Sequence, residues 1–162
     1  MALFVIGDPP LSLSVDKPMD IFGGWKNYMQ RLEQNWRSVV GEQDTVVIPG
    51  DVSWGMSLEQ AKADFAFLHA LPGKKILMKG NHDYWWTTKS KMDRFLEECG
   101  FDTLTLLHNN AISAEGVSLC GSRGWMFEQG QEHDKKLIAR EAGRIRASLQ
   151  DAARFGDQEK IL

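Results

Sequence analysis

The chain is short of the features that would mark a secreted, membrane-spanning or nucleic-acid-binding protein. It has only two cysteines, Cys99 and Cys120, in neither a metal-type nor a redox spacing. That excludes a disulfide framework and fits reduced, partly buried thiols in the cytoplasm. No apolar run approaches the ~20 residues a membrane span needs. The apolar start, Met1-Ala2-Leu3-Phe4-Val5-Ile6, has no basic lead and is too short for a secretory signal. Positive charge is not in excess: 19 Lys and Arg stand against 22 Asp and Glu, a formal net charge of −3. A basic surface for nucleic acid or a polybasic membrane anchor is therefore not expected. Neither glycine-rich phosphate loop, Gly-x-Gly-x-x-Gly or Gly-x-x-x-x-Gly-Lys, occurs, which speaks against a doubly wound nucleotide binder. Histidine is scarce as well. His69, His82, His108 and His133 are the full set, and no His-x-His occurs.

What is present reads as one globular domain of 162 residues, with 43% apolar and 25% charged residues. Three short apolar runs end alike. Leu3-Phe4-Val5-Ile6 runs into Gly7-Asp8, Thr45-Val46-Val47-Ile48 into Pro49-Gly50-Asp51, and Lys75-Ile76-Leu77-Met78 into Lys79-Gly80-Asn81. Runs of this length without alternation indicate strands buried on both faces, as in a parallel sheet. Helical spacing separates them, first through Trp25, Tyr28, Met29, Leu32, Trp36, Val39 and Val40. The second helix carries a capping box at Ser57 and Gln60, an apolar stripe of Leu58, Ala61, Phe65 and Leu68, and a stop at Leu71-Pro72-Gly73. A β-α-β-α-β order predicts right-handed crossovers.

Further on, the pattern predicts a helix over 88–98 with Gly100 as its stop. Two strands follow, Thr103–Leu107 and Val117–Cys120, joined by a turn-rich segment from Asn109-Asn110 to Gly116. The stretch from about Glu132 to Arg154 reads as a charged surface helix whose thin apolar stripe is Ile138, Ala142, Ile145, Leu149 and Ala152.

In an open parallel sheet, ligands gather at the carboxyl ends of the strands. Asp8, Asp51 and Asn81 stand there, each after a glycine. Any one of them suits a helix or turn cap. Three at consecutive strand ends make a set of hard oxygen donors for a divalent cation. His82 and Asp83 follow directly. An imidazole beside a metal ligand suits protonation of a leaving oxygen, with the carboxylate holding its tautomer or raising its pKa. Of the six tryptophans, Trp54, Trp85 and Trp86 stand beside these motifs and are candidate cleft walls; core packing is the plainer reading.

Gly50-Asp51-Val52-Ser53-Trp54 and Gly80-Asn81-His82-Asp83 resemble the second and third signature blocks of the calcineurin-like metallophosphoesterases, and Asp8 resembles the Asp that opens their first block. Gly121-Ser122-Arg123-Gly124-Trp125 is similar to small cytosolic bacterial members. The resemblance covers essentially the whole chain. It implies an α/β/β/α sandwich and a two-metal phosphoesterase using Mn, Fe or Zn. The position matching Asp51 would bridge the metals, Asp8 would bind the first and Asn81 the second, with His82 and Asp83 assisting the leaving group. The expected partner is a small phosphorylated substrate.

Two departures narrow that expectation. The first block reads Asp8-Pro9-Pro10, so Pro10 stands where the family has a histidine ligand. The family's further histidine and Gly-His-x-His block are absent, and the chain stops at Lys160-Ile161-Leu162, which resembles a buried strand just begun. The expectation is a sandwich incomplete at its C-terminus, a gene fragment with one weak oxygen-coordinated site suiting Mn or Mg. Exposed apolar surface would then favour a homodimer or poor solubility. His108 is the candidate substitute ligand, though its place before Asn109-Asn110 suits a turn residue better, and Arg123 is a candidate phosphate contact that reads more simply as a solvated arginine. A non-catalytic module of the same fold, binding a phosphorylated ligand or a protein, is the competing expectation.

Overall fold

The computed structural model describes residues 1–125 and 132–162. The chain divides into two compact units, Met1–Leu106 and Leu107–Leu162. In the first, β1 (Leu3–Val5), α1 (Tyr28–Val39), β2 (Thr45–Ile48), α2 (Leu58–Ala70), β3 (Lys74–Leu77), α3 (Lys89–Glu98) and β4 (Leu104–Leu106) alternate along the chain. The four strands form a parallel sheet in the order β1-β2-β3-β4. Crossovers of one hand that always step the same way place all three helices on one face of the sheet.

The register shows how that face is filled. Phe4, Val46, Lys75 and Leu104 stand side by side across the sheet, and Ile48, Leu77 and Leu106 form the next row along. These apolar residues pack with Trp36 of α1, Phe65 and Leu68 of α2, and Met92 and Leu96 of α3 in one core. Val47 and Ile76 alternate to the opposite face and are buried too, so the central strands are covered on both sides as their unbroken apolar runs predict. Helix α2 starts at Ser57, whose Oγ accepts the Gln60 N–H, while Gln60 Oε1 reaches back to the Met56 N–H. Gly73 and Gly100, at φ +86° and +72°, turn the chain after α2 and α3 as their positions in the sequence predict.

Lys75 is the one charge in the helix-facing rows of the sheet, and it is 0% exposed. Its ammonium donates to the carbonyls of Leu71 (2.5 Å) and Gly73 (2.7 Å), just past the end of α2. Lys75→Met removes that donor and is expected to cost about 1–3 kcal/mol. Burial also pushes the ammonium pKa down from 10.5 to about 8. Between those two values the unfolded chain holds a proton that the folded chain has released, so stability rises with pH across that window. The gap in urea midpoint between the native protein and Lys75→Met should widen from pH 8 to 10.5. A constant gap would show that the folded ammonium titrates normally.

The second unit holds β5 (Ala111–Ala114), β6 (Val117–Cys120), α4 (Glu132–Asp151), a short 3-10 turn over Ala152–Phe155, and β7 (Lys160–Ile161). The turn-rich segment from Asn109-Asn110 to Gly116 contains β5. The reversal is confined to Glu115 and Gly116, both at positive φ, which closes an antiparallel β5-β6 hairpin. The buried face of α4 also departs from expectation: Ala142 is exposed, whereas Glu141 and Ser148 are buried. Glu141 accepts from Ser122 Oγ and the Gly124 N–H, and Ser148 Oγ accepts the Gly121 N–H and donates to the Asn110 carbonyl. Satisfying that loop's backbone outweighs the apolar period of the helix. β7 does form, parallel to β6, but it is exposed rather than buried. No described helix is long and apolar enough to cross a membrane.

Candidate functional site

The carboxyl ends of β1, β2 and β3 deliver Asp8, Asp51 and Asn81 to one edge of the first unit. Asp8 and Asp51 sit at φ +46° and +49°, a left-handed conformation that Asp tolerates better than most residues. Gly50 and Gly80 are what let these ends meet. A Cβ on Gly50 would lie 2.5 Å from Gly80 Cα, and one on Gly80 would lie 2.1 Å from Asp51 Oδ1. Gly7, by contrast, has nothing within 4 Å of a built Cβ. Two of the three glycines therefore serve close backbone approach, and the third does not.

Asp8, Asp51 and His82 line one cavity of about 210 Å³, together with Pro10, Met19, Trp25, Ser53 and Trp54. Asp51 holds His82 twice: Oδ1 accepts the His82 backbone N–H and Oδ2 lies 2.9 Å from Nδ1. The Asn81 side-chain nitrogen lies 3.1 Å from His82 Nδ1, and Asn81 is exposed. The Trp54 ring stands 5.3 Å from the imidazole, centroid to centroid. Trp85 is instead in the core, edge-on to Phe65.

Asp83 differs from its expected place beside the imidazole. It is 2% exposed and turns inward. Its Oδ2 accepts the N–H of Gly80 (2.7 Å) and Asp51 (2.8 Å), and its Oδ1 accepts the N–H of Val52 (2.8 Å) and Trp85 Nε1 (2.9 Å). Asp83 is thus a clasp between the ends of β2 and β3, and Asp51 is the carboxylate that orients His82. Burial pushes the Asp83 carboxyl pKa up, while these donors pull it back.

A second buried carboxylate, Asp64, escaped the sequence reading. It accepts from Ser53 Oγ (2.5 Å) and the Leu13 N–H (2.8 Å), and Leu11 bridges Ser53. Asp64 therefore fastens the segment that carries Pro10 to the end of β2, and burial raises its pKa. The signal was there: Asp64 falls between Ala61 and Phe65 on the apolar stripe of α2. His69 lies 2.9 Å from Thr103 Oγ1, a structural contact. His108 and Arg123 belong to the second unit, the former beside Asn109 and the latter over the Trp125 ring.

Among the described residues, no three of His, Cys, Asp or Glu are gathered into a metal-holding group. The donors at the rim are two carboxylates and an amide, and Pro10 lines the cavity without offering one. Each Asp51 oxygen already accepts one bond from His82 and keeps further lone-pair capacity. An all-oxygen donor set of this kind is chemically suited to a hard divalent ion rather than to a nitrogen-rich pair of sites.

A model of the calcineurin-like phosphoesterase family matches residues 1–141. The gene 66 protein of Mycobacterium phage L5 is 46% identical over 52 residues, 32% of this chain. That match spans only 25% of the phage protein's length. A solved structure of a protein of unknown function from Aquifex aeolicus aligns over 99% of this chain and 89% of its own, at 18% identity and a TM-score of 0.49.

Proposed function

The chain belongs to the calcineurin-like phosphoesterase family, and we propose that its function is of phosphoesterase type, with the rim at β1, β2 and β3 hydrolysing small phosphate mono- or diesters with a divalent ion. The observation that carries this reading is the meeting of Asp8, Asp51 and His82 on one cavity. Asp8, Asp51 and Asn81 would hold the ion, with manganese or magnesium favoured over iron or zinc. When bound, such an ion polarises a phosphoryl oxygen and acidifies water. His82, held through Nδ1 by Asp51, would donate a proton to the leaving oxygen from Nε2, which the Asn81 side-chain nitrogen also approaches at 3.2 Å. Asp83 acts through the backbone it ties, as a positioning residue. The same reading places the protein in the cytoplasm, with no nucleic-acid or membrane partner.

With added Mn²⁺, slow hydrolysis of a chromogenic phosphodiester is expected, and Asp51→Asn should lower it by about 100-fold, at or beyond what loss of an outer-shell partner costs. Activity that survives Asp51→Asn or a chelator would defeat the assignment. Pro10 in the cavity lining favours one second reading, a non-catalytic module that binds a phosphorylated ligand. Pro10→His separates the two. Tighter Mn²⁺ binding by calorimetry supports the enzyme, whereas continued absence of binding supports the module.

A further inference from the structure

The cavity beside the rim has a chemical character that the rim alone does not explain. Its polar groups, Asp8, Asp51, Ser53 and His82, come from the strand ends, while its other walls are Pro10, Met19, Trp25 and Trp54. A charged edge set directly against an apolar wall suits a ligand with one anionic end and one uncharged end. We infer that this cavity is the subsite for a flat aromatic group on the substrate, so that the preferred substrates are phosphate esters carrying one ring or two fused rings. This rests on the rim being a phosphoester site.

Size limits the occupant first. About 210 Å³ is below the ~300–1,000 Å³ typical of sites for drug-sized ligands, so the cavity matches a small ring system better than a long chain. The walls also have a preferred shape of partner. Indole rings favour offset or edge-to-face contact with another π-system, and a methionine thioether makes its own favourable contact with an aromatic ring. Trp54 stands beside His82, with ring centroids 5.3 Å apart, so a ring held at Trp54 would lie close to the imidazole. The Lys17 ammonium sits 4.7 Å from the Trp54 ring centroid, which brings a positive charge to the same wall.

The part of the lining formed by Trp25 and Pro10 is braced. Trp25 packs edge-on against Tyr28 at 5.4 Å, and Tyr28 Oη donates to the Pro10 carbonyl at 2.7 Å. Trp25, Tyr28 and Pro10 are thereby linked without a ligand, and a wall fixed in advance gives up little order on binding.

The test compares two esters of equal ring size, phenyl phosphate and cyclohexyl phosphate, titrated calorimetrically into the whole protein with Mn²⁺ present. Phenyl phosphate should bind about tenfold tighter, within the range that ring stacking on an aromatic side chain supplies. Trp54→Ala should bring the ratio close to one, and Trp54→Phe should restore most of it. The Phe variant guards against a simple folding defect. Adenosine 5′-monophosphate, whose ring stands a ribose away from phosphorus, tells a nucleotide from a phenolic ester, and preference for either supports an aromatic subsite. Equal affinity for the two six-membered rings, no binding of any ester, or a preference that survives both Trp54→Ala and Trp25→Ala overturns the inference. A Mn²⁺ titration of the native protein is scored separately. A retained preference without Mn²⁺ binding defeats the phosphoesterase reading and leaves the subsite standing, whereas Mn²⁺ binding with a ratio of one defeats the subsite alone.

Discussion

Gly80→Ala is expected to destabilise the protein by about 3 kcal/mol or more, at the upper end of overpacking costs, and to abolish any metal binding at Asp51. The new Cβ would lie 2.1 Å from Asp51 Oδ1 and 2.3 Å from Asp51 N. Swinging the carboxylate away does not relieve the clash, because the second contact is with backbone. The end of β2 must then move away from the end of β3, and with it goes the carboxylate that holds His82. Gly50→Ala should be at least as harmful, since it meets Gly80 Cα at 2.5 Å and also needs φ +128°. Gly7→Ala is the control. It meets nothing, and should stay within about 0.5 kcal/mol of the native protein. Urea midpoints for the three variants, with a Mn²⁺ titration of each folded one, check this. A Gly80→Ala protein as stable as Gly7→Ala would mean that the strand ends do not meet as described.

Those three glycines show what the sequence made legible and what it could not. Strand-end motifs reveal themselves through apolar runs that stop at Gly-Asp or Gly-Asn, because a parallel sheet leaves its functional edge where the runs end. The chain order of the first three strands and their helices followed from the same runs and from helical periodicity, whereas the place of β4 in the same sheet did not. Which glycine is sterically required did not follow, since that depends on how two strand ends pack. The partner of His82 escaped for the same reason. Asp83 is adjacent in sequence, but its side chain turns inward to backbone N–H groups, leaving Asp51 from 31 residues away to meet the imidazole. β5 was hidden by composition, because Ala111–Ala114 is Ala-Ile-Ser-Ala, with Ile112 its single β-branched residue and no aromatic one. The inner face of α4 was misread because Glu141 and Ser148 are buried to satisfy a loop, which periodicity of apolar residues cannot signal.

Asp83→Ala should be the most damaging side-chain truncation at the site, costing about 4 kcal/mol. Four backbone N–H groups, those of Gly80, Asp51, Val52 and Ser53, and the Trp85 indole N–H lose their acceptor together. Each buried donor left unpaired costs about 1–3 kcal/mol, and water entering the space recovers part of the sum. Against a typical total stability of about 5–15 kcal/mol, that loss alone brings the fold close to failure. Asp83→Asn keeps the shape but turns one acceptor oxygen into a donor. It then faces either the Gly80 and Asp51 amides or the Val52 and Ser53 amides and the Trp85 indole, so about half the penalty is expected. The pair of variants tells a clasp from an orienting carboxylate for His82. A clasp lowers the thermal midpoint in the order native, Asn, Ala. An orienting carboxylate would leave the midpoint near native in Asp83→Asn and change only the imidazole NMR signals. A native-like midpoint for Asp83→Asn would therefore return Asp83 to the role that its place in the sequence suggests.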